Sequence, residues 1–110
     1  MSDDRLPTWK FLTNHAHVLI CIANDPGVRL REIGEHVGIT ERAAHRIVTE
    51  LGAAGYINRE RNGRRNHYTI DSDLPVPDAI ARDQSIGRLL EILASPEPPG
   101  PEGVDGPSAG

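Results

Sequence analysis

Between Leu30 and Leu51 two runs of apolar residues recur at helical spacing, and only three residues stand between them. Leu30, Ile33 and Val37 share one stripe of the first run, while Ala44, Ile47, Val48 and Leu51 sit at i, i+3, i+4 and i+7 of the second. The intervening residues are Gly38, Ile39 and Thr40. Glycine suits the left-handed position that ends a helix, and threonine is a natural N-cap for the next. The spacing therefore predicts a helix over 30–37, a very short turn, and a helix over 41–54 that Gly55 stops.

The flanking segments extend this pattern. Thr13 is placed to cap a helix over 14–23, with Ala16, Leu19, Ile20 and Ala23 on one face, and "NDPG" (24–27) is a turn. Short strands in "YINRE" and "RNHYTI" flank Asn62-Gly63, a strong hairpin signal. "DLPVPD" (73–78) reads as an extended linker, since each proline biases its predecessor away from helix. In "SIGRLLEIL" (85–93), Ile86, Leu89, Leu90 and Leu93 form an amphipathic stripe. That helix could pack on its own domain or on the twin helix of a second subunit. From Ser95 the chain is Pro/Gly-rich with almost nothing apolar to bury, and is expected to be disordered. The expected organisation is an arm (1–12), a domain (13–72), a linker with a helix that can serve dimerisation (73–94) and a tail (95–110). Trp9 and Phe11, in the arm, need burial.

A chain of 110 residues and 12.0 kDa is one domain. With 37% apolar residues and few aromatics, its core is small and aliphatic, leaving little room for a buried active site. No apolar run approaches the roughly 20 residues that cross a bilayer. The acidic N-terminus lacks the apolar stretch of a secretory signal. One cysteine, Cys21, excludes an internal disulfide and fits a reducing cytoplasm. The formal charge of −4 is unevenly spread: residues 29–70 hold eight Arg against five Glu, whereas residues 71–110 hold eight acids against two Arg. Such asymmetry accompanies nucleic-acid binding, although a solvated face with acidic linkers has the same composition.

The stretch "LREIGEHVGITERAAHRIVTELGAAGYINRERNGRRNHYTI" resembles the winged helix-turn-helix of MarR/ArsR-like bacterial transcriptional regulators, over roughly residues 13 to 70. "GIT" between two helices, "L…AAGYI" leading into a hairpin and "GRRNHY" closing it carry the resemblance together. It implies an α+β, mainly α fold, a three-helix core plus a β-hairpin wing, with an additional C-terminal helix. It also implies a sequence-specific regulator that binds double-stranded DNA, with helix 41–54 in the major groove and the wing, 59–67, on the backbone or in the minor groove. Relatives dimerise through terminal helices, so a homodimer through the terminal segments is expected, reading half-sites about 34–36 Å apart.

With the apolar stripe of 41–54 turned to the core, Arg42, His45, Arg46 and Thr49 face outward, with Glu41 and Glu50 at the margins. Arg grips guanine bidentately, His and Thr make single hydrogen bonds to bases or phosphates, and Thr40 with its neighbouring amides could hold a phosphate. The plainer alternative is a solvated face on which Glu41/Arg42 and Arg46/Glu50 neutralise each other. In the hairpin, a two-residue turn at Asn62-Gly63 would set Arg61 opposite Arg64, Glu60 opposite Arg65, Arg59 opposite Asn66, Asn58 opposite His67 and Ile57 opposite Tyr68. Ile57, Tyr68 and Ile70 then share the face that carries Arg59, Arg61 and Arg64 further out. Glu60 answers Arg65, but like charges at Arg61 and Arg64 repel, so this trio is expected to find its counter-charge on DNA. Residues 59, 61–67 and the five polar positions from Thr40 to Thr49 make up the candidate interface.

Two departures from pattern stand out. Arg29 occupies the place of the usual hydroxyl cap of the 30–37 helix, so that helix either frays or keeps Arg29, as it could Arg31, for a phosphate. Gly52, inside the last turn of the 41–54 helix, costs about 1 kcal/mol relative to Ala, which close packing against the 30–37 helix would explain. His15, His17 and Cys21 could be considered as metal ligands, but no second cysteine joins them, and no metal or other cofactor is expected. No nucleophile context or Gly-rich phosphate loop indicates an enzyme. The alternative to DNA binding is a winged-helix module whose basic face meets an acidic partner protein; that would call for large apolar residues on the outer face of 41–54, where Arg, His and Thr stand instead.

Overall fold

The computed structural model describes residues 7–63 and 65–94, the side chains of Asn62 and Arg65 excepted. The expected tail, the start of the arm and Arg64 lie outside the described residues. The chain forms α1 (Asn14–Asn24), α2 (Leu30–Val37), α3 (Glu41–Ala53), an antiparallel hairpin of β1 (Ile57–Asn62) and β2 (Arg65–Ile70), and α4 (Ile86–Leu93). This is the mainly α, α+β arrangement of a winged helix with one further helix.

Local chemistry fixes the helix ends. The Thr13 and Thr40 hydroxyls accept from the Ala16 and Ala43 amides at 3.2 and 3.0 Å, and Ser85 does the same for the Arg88 amide at 3.2 Å. Each meets one of the amides that a helix leaves without an internal partner. At α2 the helix start is closed rather than frayed. A guanidinium has no acceptor, and here Glu32 reaches back so that its Oε1 accepts from the Arg29 backbone N–H at 2.9 Å. This is the glutamate half of a capping box, which closes the helix start and leaves the Arg29 side chain outside.

The α2–α3 junction is tight. The Gly34 carbonyl accepts from both Gly38 N–H (2.8 Å) and Ile39 N–H (3.0 Å), with Gly38 left-handed at φ 86°. A β-carbon at Gly34 would lie 2.7 Å from the Ile39 carbonyl oxygen, so the turn that leads into α3 packs directly on the α2 backbone. Gly52, by contrast, is exposed and has only the Ile57 carbonyl oxygen near, at 3.9 Å. The close approach expected at Gly52 is found at Gly34 instead.

One core serves every element. Ile22 and Val18 of α1, Ile33 of α2, Ile47 of α3 and Tyr68 of β2 are almost fully buried, and Ile86 and Leu90 of α4 join the same cluster. α4 is also held by backbone. The Gly87 N–H donates to the Ser72 carbonyl (2.9 Å), Ile86 N–H to Leu74 (2.8 Å), and Val76 N–H to Gln84 (2.8 Å). A β-carbon on Gly87 would stand 2.8 Å from that of Ser72, so only glycine lets helix and linker approach this closely. The linker 73–78, expected to be extended, instead turns at Asp73 and bends at Leu74 and at 77–78, with Pro75 bridging to Ser85 between them.

Tyr68 is 2% exposed, and its hydroxyl finds no partner among the described residues. An unpaired buried hydroxyl loses its water without recovering a hydrogen bond. Tyr68→Phe keeps the ring and removes that loss, so the variant is expected to be more stable by about 1 kcal/mol. Thermal unfolding would show this as a rise of a few degrees; a fall would mean that the hydroxyl has a partner.

Candidate nucleic-acid interface

α3 turns its outer face to solvent because its apolar stripe, Ala44, Ile47, Val48 and Leu51, is fully engaged in the core. Thr40, Arg42, His45, Arg46 and Thr49 are all exposed. The Thr40 hydroxyl accepts the capping bond, so its hydrogen remains free to donate. Arg42 and Arg46 form no ion pair among the described residues. Glu50 is not the neutraliser of Arg46, because its Oε1 lies 2.6 Å from Nε2 of His15, across on α1. That contact ties α1 to α3 and leaves the arginines uncompensated.

The wing differs from expectation in register. Ile57 pairs with Ile70, Asn58 with Thr69, Arg59 with Tyr68, Glu60 with His67, Arg61 with Asn66, and Asn62 with Arg65. Gly63, next after the Asn62–Arg65 pair on the β1 side, is left-handed at φ 69°. The expected oppositions of Arg61 with Arg64, Glu60 with Arg65, Arg59 with Asn66, Asn58 with His67 and Ile57 with Tyr68 are therefore incorrect. Glu60 faces His67, and Arg61 faces Asn66 rather than a like charge. The slip is by two residues, so the sorting of faces is unchanged. Ile57, Arg59, Arg61, Asn66, Tyr68 and Ile70 share one face, anchored in the core by Ile57 and Tyr68. Arg59 and Arg61 are exposed and form no ion pair among the described residues. Glu60 and His67 lie on the other face by register, both exposed.

The two halves of the interface meet at a cleft of about 370 Å³ lined by Val28, Arg29, Arg31, Glu41 and Asn66. The N-terminal ends of α2 and α3 thus converge on the arginine-bearing face of the wing. Arg29 and Arg31, both exposed and weighed from the sequence for a phosphate, extend the basic surface to the α2 start. The signal available was the pair of arginines bracketing a helix start, where the neutral cap is missing. Pro26 completes the junction: its carbonyl accepts from the Tyr68 N–H at 2.9 Å and fixes the outer edge of β2.

Cys21 is half-buried in the core margin, and burial pushes its thiol pKa up, so at neutral pH it is protonated and a poor ligand or nucleophile. Among the described residues no group of three or more His, Cys, Asp or Glu is placed to hold a metal ion. No helix among them is long and apolar enough to cross a membrane.

Residues 13–65 match the model of the MarR family, from the α1 cap to the first residue of β2. That stretch, just under half of the chain, is similar to the MarR family. MarR proteins are DNA-binding regulators of transcription rather than enzymes. The MarR match stops short of α4, so the helix that completes the core lies outside it. No curated protein matches the chain.

Proposed function

We propose that this domain binds duplex DNA sequence-specifically to regulate transcription, with α3 in the major groove and the wing on the backbone or in the minor groove. The carrying observation is the set of four exposed guanidiniums, Arg42, Arg46, Arg59 and Arg61, without ion pairs among the described residues, on two elements that converge at one cleft. In this reading Arg42 and Arg46 grip base edges, His45 and Thr49 add single hydrogen bonds, and Thr40 donates to a phosphate. Arg59, Arg61, Arg64 and Arg65, with Asn62, Gly63, Asn66 and His67, lie along the backbone. Arg29 and Arg31 add phosphate contacts at the cleft. A protein-binding use of this face is disfavoured, because the large apolar residues exposed on the described surface are Trp9, Phe11, Ile80 and Ile92, none of them on α3 or the wing.

Those residues support the second half of the reading, a homodimer through the terminal segments. Phe11, Leu12, Leu19, Leu89 and Leu93 line an apolar groove of about 260 Å³ between the arm, α1 and α4. Phe11 is 89% exposed and Ile92 80%, a surface that a second copy would cover.

The test is fluorescence anisotropy with mixed duplex DNA at increasing salt. Each phosphate neutralised contributes roughly −0.9 to the log–log slope, so six or more contacts give a loss of about 10³-fold between 50 and 200 mM salt. A flat response would overturn the DNA reading, and sedimentation as a monomer on DNA would overturn the dimer.

A further inference from the structure

We propose that the acidic C-terminal segment, residues 95–110, is an intramolecular competitor of DNA that occupies the basic face of α3 and the wing in the free protein. The inference rests on the DNA-binding reading above and adds a regulatory contact to it.

The first observation is charge complementarity within one chain. Residues 95–110 carry Glu97, Glu102 and Asp105 and no Lys, Arg or His, while Arg42, Arg46, Arg59 and Arg61 are exposed without ion pairs among the described residues. Val104 is the segment's single large apolar residue, so the apolar groove between arm and α4 offers it little. The second observation is where the segment departs. α4 ends at Leu93, and Ala94 shares an open groove with Glu91 of α4, Pro26, and His67 and Thr69 of β2. The last described residue, Ala94, therefore lies beside the wing. The third is reach. Sixteen residues span about 50 Å when extended, and the longest dimension of the fold is 42 Å. The five prolines of 95–110 are a composition that suits binding along a surface rather than folding into a core.

A tethered anion acts at an effective concentration in the millimolar range, so individually weak ion pairs suffice. DNA must displace the segment. The segment's ion pairs are broken as the DNA's are made, so fewer counter-ions are released in net and the salt dependence becomes shallower.

The experiment compares the full chain with its Glu97→Gln/Glu102→Gln/Asp105→Asn variant, which alters none of the described residues. Anisotropy with mixed duplex DNA is expected to show the variant binding about tenfold tighter at low salt, with a steeper salt slope, the two proteins converging as salt rises. In ¹H–¹⁵N spectra without DNA, amides of α3 and of the wing are expected to shift between the two proteins. Equal affinity and slope would overturn the proposal, as would shifts confined to the segment or to the groove between arm and α4. If neither protein binds any duplex, the DNA reading fails, and the amide shifts alone decide whether the contact exists.

Discussion

Gly34→Ala is expected to destabilise the protein by about 2–4 kcal/mol and to lower its melting temperature by roughly 10 °C or more. The added methyl would sit 2.7 Å from the Ile39 carbonyl oxygen and 3.4 Å from the Thr40 carbonyl carbon. Both are backbone atoms, so no rotamer change relieves the contact. The turn must move away from α2, carrying the Thr40 cap and the start of α3 with it. The normal benefit of Ala over Gly in a helix, about 1 kcal/mol, is swamped. Gly52→Ala is the internal comparison: with 3.9 Å to its nearest neighbour and no left-handed backbone, it should gain up to about that amount. Thermal denaturation of both variants checks the argument, and similar destabilisation at the two sites would refute it. Because Gly34 also sets how α3 is presented, surviving Gly34→Ala protein should bind DNA more weakly at temperatures where it is still folded.

Reversing Arg59 and Arg61 together to glutamate is expected to reduce duplex affinity by about 100-fold or more at low salt, since two phosphate contacts become repulsions. Folding should be nearly untouched, because both side chains are exposed and neither forms an ion pair with a described residue. The matched control is Arg82→Glu/Arg88→Glu, which changes net charge equally but on exposed positions of the α4 region. If affinity follows position, the wing pair loses far more than the control. Equal losses would mean that only the total charge counts, and the wing assignment would be abandoned. Anisotropy for affinity and thermal unfolding for stability together separate these outcomes.

Much of the fold was readable because each helix carries its own stop and start signals. Thr13, Thr40 and Gly38 act locally, so their roles could be seen without knowing the tertiary structure. The wing register was not readable, for a physical reason. A one-residue slip would turn Ile57 and Tyr68 to solvent, but a two-residue slip leaves every side chain on its face. The hydrophobic pattern is blind to it, and Gly63 serves as a left-handed loop residue in either register. Which glycine is pressed against backbone was equally hidden, since Gly34 and Gly52 both sit within helices. Glu32 as the substitute cap was within reach: its spacing from Arg29 is that of a capping box, with the hydroxyl half missing. Arg29 and Arg31 were already candidates for a phosphate in the sequence, but only the structure brings the α2 N-terminus to Asn66 on the wing.

The linker clasp between residues 72–76 and 84–87 has a practical meaning for anyone wishing to transplant this reading head onto another protein. A graft cut where the family match ends, at residue 65, would sever β2 and leave Leu90 and Ile86 behind. A cut after Ile70 keeps the hairpin but strips the cover from the α1 side of the core. The smallest transferable module runs from Thr13 through Ala94, and a foreign partner joined at its C-terminus would emerge next to the wing rather than on the opposite side of the module.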